Sequence, residues 1–144
     1  MPFIKIWIHL IFSTKNREPL ITNAIKSEII DHIKSNAKDK DIYIDFINGV
    51  KDHIHILLSL GSEQNIAKVV QLIKGEPSFW INKNKISKTK FEWQEEYIAI
   101  SVSESVVQKV RDYIKNQEEH HTIKTFAEEY EVIISKINTL AKAI

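Results

Sequence analysis

Asp52-His53-Ile54-His55-Ile56-Leu57-Leu58 is the run from which the rest of the chain can be ordered. A β-strand sends successive side chains to opposite faces, so His53 and His55 project together while Ile54, Ile56 and Leu58 enter a core. The segment before it supplies a partner strand. Residues 41–48 place Ile42, Ile44 and Phe46 on one face, and Asn48-Gly49 is a hairpin-type turn signal. Working backwards, residues 3–13 alternate with Ile4, Ile6, Ile8, Leu10 and Phe12 on one side and Lys5, Trp7 and His9 on the other, a first strand. Between these strands, Thr22 or Asn23 caps a helix to Lys38 with Ile25, Ile29, Ile30 and Ile33 as its inner stripe. Working forwards, Ile66, Val69, Val70, Leu72 and Ile73 mark a helix over 64–82, with Gly75 and Pro77 as points of kinking. A lysine-rich stretch follows, then a fourth strand over 97–102. Ser103 or Ser105 caps a helix bearing Tyr113, and Thr125 with Glu128 forms a capping box for a last helix over 126–143. The order βαββαβ plus two helices predicts an α+β fold: a ferredoxin-like antiparallel sheet with helices on one face and the histidines on the open face.

Composition bounds the chain without naming its chemistry. At 144 residues it reads as one domain over 1–144, with 43% hydrophobic and 27% charged residues, ordinary for a soluble globular protein. No cysteine is present, which excludes a disulfide framework and a thiolate metal site and fits an intracellular protein. The apolar start is broken by Lys5 and His9 and is too short to span a membrane. The net charge of +1 does not announce a nucleic-acid binder, so a basic surface must be local.

The chemistry lies in two places. Two imidazoles side by side on a strand make half of a metal site. Far downstream, Tyr113 and Gln117 stand one helical turn apart and share a face. A metal with a tyrosine nucleophile is a toolkit for cutting and joining a phosphodiester. Each residue has an ordinary reading as well: half-exposed strand histidines, a core tyrosine, a solvated glutamine. Val106, Val110, Tyr113 and Gln117 on one stripe favour a packed position for Gln117. Glu118, His120 and His121 are rival ligands nearby. Lys74, Lys83, Lys85, Lys88 and Lys90 cluster with Phe79, Trp80 and Trp93; lysines neutralise phosphates and aromatic rings stack unpaired bases, so this segment is a candidate DNA contact. The Lys5, Trp7 and His9 face of the first strand is a second candidate lining of the site.

Taken together, these residues resemble a family. His53-Ile54-His55 is an HUH motif (His, hydrophobic, His), and Tyr113 followed by Asn116-Gln117 resembles the tyrosine helix of the single-tyrosine HUH transposases of the IS200/IS605 type, with the REP-associated tyrosine transposases as relatives. Trp7-Ile8-His9-Leu10-Ile11-Phe12-Ser13-Thr14-Lys15, Asn48-Gly49-Val50-Lys51-Asp52-His53, Trp93-Gln94-Glu95-Glu96-Tyr97 and Ser101-Val102-Ser103 add to the likeness in the family's order. The resemblance implies a metal held by His53, His55 and Gln117, with Tyr113 as the nucleophile that leaves a 5′-phosphotyrosine and a free 3′-hydroxyl. Imidazole and oxygen ligands suit Mg2+ or Mn2+. It also implies single-stranded DNA hairpins as partners, and a homodimer with composite active sites in which the tyrosine helix of one chain meets the HUH strand of the other. The cytoplasm of a bacterial or archaeal cell is the expected location. A monomer whose tyrosine helix folds back on its own histidines is the runner-up. Alternatives for the activity are a domesticated REP-type hairpin-processing nuclease and a catalytically silent hairpin-binding protein.

Overall fold

The computed structural model describes residues 3–117 together with Glu128, Glu131 and Ser135. The elements are β1 (Trp7–Ser13), α1 (Lys26–Asp39), β2 (Tyr43–Val50), β3 (His53–Ser59), α2 (Ile66–Lys83), β4 (Ile98–Val102) and α3 (Val107–Lys115). The strands form one antiparallel sheet in the order β2-β3-β1-β4. This is the expected βαββαβ sheet. The expected last helix, over 126–143, lies outside the described residues apart from the three named above.

Period-two alternation creates the main core. Leu10 and Phe12 of β1 and Ile54, Ile56 and Leu58 of β3 face one side, where Ile29 and Ile33 of α1 and Val69, Val70, Ile73 and Ile81 of α2 cover them. Fully burying one such side chain contributes about 1.5–3 kcal/mol. Asn65 starts α2 by accepting a hydrogen bond from the Lys68 amide at 2.9 Å. Pro77 lies buried inside that helix, which continues to Lys83.

The other face is covered too, not left open. Val107, Val110 and Ile114 recur at helical spacing on α3 and pack on Trp7, Phe46, Leu57 and Val102. The sheet is thus sandwiched, and the histidine face is the one under α3.

Two local readings change. The hairpin turn is Lys51-Asp52, because Val50 pairs with His53 and Gly49 with Ile54. Gly49 therefore serves close packing, not a turn: a Cβ there would sit 2.5 Å from Ile54 Cδ1 and 3.1 Å from the His53 carbonyl oxygen. Second, the register slips between Ile44 and Phe46. Ile44 lies opposite Leu58, but Phe46 lies opposite Leu57. A bulge adds one residue, Asp45, and reverses the faces beyond it. Ile42 and Ile44 join the main core, whereas Phe46 joins the cluster under α3. The single face expected for Ile42, Ile44 and Phe46 is therefore corrected.

Candidate active site

β3 is hydrogen-bonded on both sides, by β2 and β1, and it carries His53 and His55 on the α3 face. Both side chains are fully buried, with ring centroids 5.0 Å apart. Each has a specific neighbour. His53 Nδ1 lies 2.8 Å from a carboxylate oxygen of Asp52, whose other oxygen meets the Arg17 guanidinium at 3.3 Å. A carboxylate only accepts, so His53 donates from Nδ1, an arrangement that would leave Nε2 for a metal. His55 Nδ1 lies 2.9 Å from Nε2 of His9, a buried residue of β1. For His55 to offer Nε2 as a ligand, its Nδ1 donates to His9, and His9 holds its own proton on Nδ1.

The tyrosine helix is fastened onto this face. The Trp7 indole N–H donates to the Glu104 carboxylate just before α3. Arg111 grips Asp45 through Nε and a terminal nitrogen at 2.6 and 2.8 Å, a bidentate pair that raises the pKa of Arg111. Its guanidinium also lies over the Trp7 ring, 5.8 Å from the centroid. At the far end, Asn48 of β2 donates to the carbonyls of Ile114 and Lys115. The result places the half-buried ring of Tyr113 5.9 Å from the His55 ring and 6.3 Å from the His9 ring, edge-on to both. Within one chain, the tyrosine thus lies beside the histidine face.

Gln117, one turn on, is fully buried. Its Nε2 donates to the Tyr113 carbonyl at 3.2 Å, while its Oε1 is buried with no hydrogen-bond partner among the described residues. Such an unsatisfied oxygen costs about 1–3 kcal/mol, a cost that a cation would relieve. Among the described residues, no three His, Cys, Asp or Glu side chains form a group able to hold a metal ion. A divalent cation held by the two imidazoles would therefore need a further donor such as the Gln117 amide oxygen, and a set of two nitrogens and one oxygen would fit Mg2+ or Mn2+. Glu118, His120 and His121 lie outside the described residues.

The expected DNA-contact cluster divides. Trp93 donates its indole N–H to the Lys74 carbonyl at 3.0 Å and packs edge-on against Phe12 and Phe91, so it is a core residue. Lys74 is tied to the carbonyls of Gln94 and Glu95, and burial lowers its pKa. Trp80 stacks on His32 in the helix layer behind the sheet, with centroids 3.9 Å apart. Lys83 lies over exposed Phe79. Lys85 and Lys88 are exposed, and Lys90 pairs with Glu92 at 2.7 Å. Sequence reading assigned no role to Asp52, Arg17, Asp45 or Arg111 and read Asn48 as part of a turn. The one signal available was Asp52 directly preceding the histidine motif.

Comparison with known proteins places the chain in a family. The sequence profile of the family described as "Transposase IS200 like" matches residues 3–117. The ISDra2 transposase TnpA of Deinococcus radiodurans is 23% identical over 114 residues, covering 76% of this chain and 81% of that protein. Two solved structures share the fold, each with a TM-score of 0.65. A crystal structure of a protein from Deinococcus radiodurans R1, described as a transposase, is 22% identical and covers 81% of this chain and 93% of its own. A REP-associated tyrosine transposase bound to a REP hairpin is 14% identical and covers 84% of this chain and 71% of its own. With a family profile spanning all but the two ends of the sequence, the chain belongs to the IS200-like transposase family.

Proposed function

We propose that this chain nicks and rejoins single-stranded DNA at hairpin-marked ends, through a covalent link to Tyr113. The observation that carries this reading is that Tyr113 stands beside the buried His53–His55 pair, its ring 5.9 Å from that of His55. In the proposed step the Tyr113 oxygen bonds to phosphorus and loses its proton. The bond from phosphorus to the 3′-oxygen breaks, and that oxygen takes up a proton. One phosphodiester is exchanged for another, so a later attack by a 3′-hydroxyl rejoins DNA without ATP. A phenol with an ordinary pKa near about 10 attacks phosphate poorly unaided. A divalent cation held by His53, His55 and Gln117 would supply charge neutralisation at the phosphate. Asp52 and His9 each stand at the Nδ1 of one imidazole, contacts that would orient the rings for such binding.

Charge at the rim supports a DNA strand here. Lys15 and Lys90 both pair with Glu92, and Arg17 reaches Asp52, so three cations sit at the His53 end of the sheet. Asn16 and Arg17 both take φ of 56°, a left-handed conformation that non-glycine residues hold only when their surroundings impose it. Hairpin binding by the REP-associated relative adds to the case for a hairpin substrate.

The test is covalent capture. Wild-type protein with Mg2+ or Mn2+ and a hairpin-bearing single-stranded oligonucleotide is expected to give an SDS-resistant adduct. Tyr113→Phe should give none while retaining hairpin binding within a few-fold. An adduct formed by Tyr113→Phe, or full activity of the wild type in excess EDTA, would refute the assignment.

A further inference from the structure

The sheet and the tyrosine helix meet through one side chain. Asn48 lies directly opposite His55 in the β2–β3 register, and directly opposed residues share a face. Its Nδ2 donates to the carbonyls of Ile114 at 2.9 Å and Lys115 at 3.2 Å. These carbonyls belong to the last turn of α3. The other end of the amide is fixed as well, because Oδ1 accepts from the Gly49 amide at 2.8 Å. With its oxygen engaged there, the amino group faces the helix. Ile114 and Lys115 lie between Tyr113 and Gln117, so Asn48 holds the turn that carries both functional side chains.

The bulge at Asp45 makes this possible. Without the extra residue, Asn48 would fall on the face covered by α1 and α2. The same extra residue grips Arg111, three residues after Gln108 and two before Tyr113, so one irregularity in β2 supplies both attachments.

We propose that Asn48 is a positioning residue for the reaction: it sets the height and rotation of the end of α3, and so places Tyr113 beside His55, with Gln117 one turn on. This rests on the proposed tyrosine chemistry. The test compares Asn48→Ala with Asn48→Asp, which keeps the shape and loses the N–H donor. Adduct formation in single turnover, hairpin affinity, thermal melting, Mn2+ affinity of the protein alone and amide exchange over 113–117 are measured for each. A misplacement of about 1 Å can cost on the order of 100-fold in rate. Both variants should therefore form adduct about 10–100-fold more slowly with hairpin affinity and KM unchanged, bind Mn2+ more weakly and lose exchange protection over 113–117. Asn48→Asp reacting at the wild-type rate, or unchanged protection in both variants, would overturn the positioning role alone. A rate loss that follows the melting curve and disappears on cooling would also overturn it, leaving only a structural part for Asn48. Failure of the wild type to form an adduct would overturn the underlying reading together with this one.

Discussion

Gln117 shows a side chain held at a cost to the folded chain. Its Oε1 is buried without a hydrogen-bond donor among the described residues, and its Nε2 makes one bond to Tyr113. Replacement by Met, of similar volume, removes the unsatisfied oxygen, worth about 1–3 kcal/mol, and loses a hydrogen bond worth about 0.5–1.5 kcal/mol. Gln117→Met is therefore expected to melt at or above the wild-type temperature without metal, yet to lack the upward shift with Mn2+ expected of the wild type. Melting curves with and without Mn2+ check both halves. Asp52→Asn tests the neighbouring support. It keeps an acceptor for His53 Nδ1 but discards the charge, and Mn2+ affinity should fall about 10–100-fold in calorimetric titration; an unchanged affinity would remove Asp52 from the ligand support. At this scale the sequence was partly legible. The shared face of His53 and His55 follows from strand alternation alone. The roles of Asp52 and His9 depend on which strand lies beside which, and no local pattern carries that. Trp93 and Trp80 look alike beside lysines in the sequence; only packing separates a core indole bound to Lys74 from a ring stacked on His32.

Among the elements, β2 departs furthest from its sequence reading. Alternation over Ile42, Ile44 and Phe46 is unbroken in the sequence, yet the bulge at Asp45 splits it between two cores. Nothing in the residues themselves marks the slip, because apolar side chains suit either face once α3 covers the second. The turn was misplaced for a related reason: Asn-Gly is a strong turn signal, but Gly49 is needed within the strand by the close approach of Ile54. Gly49→Ala would force its Cβ to 2.5 Å from a fully buried side chain. Overpacking of this kind typically costs about 1–3 kcal/mol, so the variant should melt several degrees lower, and crowding of the His53 carbonyl should weaken metal binding as well. An unaltered melting temperature would show that Ile54 yields freely. The helices were legible to within a few residues, since their stripes face one continuous core.

For the whole molecule, the question is whether a subunit is complete. Family resemblance implies a homodimer with the tyrosine supplied in trans, and within one chain Tyr113 also stands 5.9 Å from His55, so a mixing experiment decides between trans and cis. A cis site makes a clear prediction for mixing. Tyr113→Phe protein combined with His53→Ala/His55→Ala protein, under proven subunit exchange, should recover no cleavage, because no subunit in the mixture holds both halves. Recovery approaching half of the wild-type rate would place α3 on the partner. No helix among the described residues is long and apolar enough to cross a membrane.

The two halves of the site differ in how firmly they are built in. The histidines sit on a strand laced on both flanks by backbone hydrogen bonds, whereas among the described residues α3 is joined to the sheet by a short apolar stripe and the side chains Trp7, Asp45 and Asn48. Opening free energies within one protein range from near zero to that of global unfolding, and weakly attached elements open first. On gentle heating or in low denaturant, a protein working by the proposed chemistry should fall silent while its sheet is still intact, because Tyr113 peels away before His53 and His55 are disturbed. Its working temperature range is then set by the seam beneath one nine-residue helix, and not by the melting point of the domain.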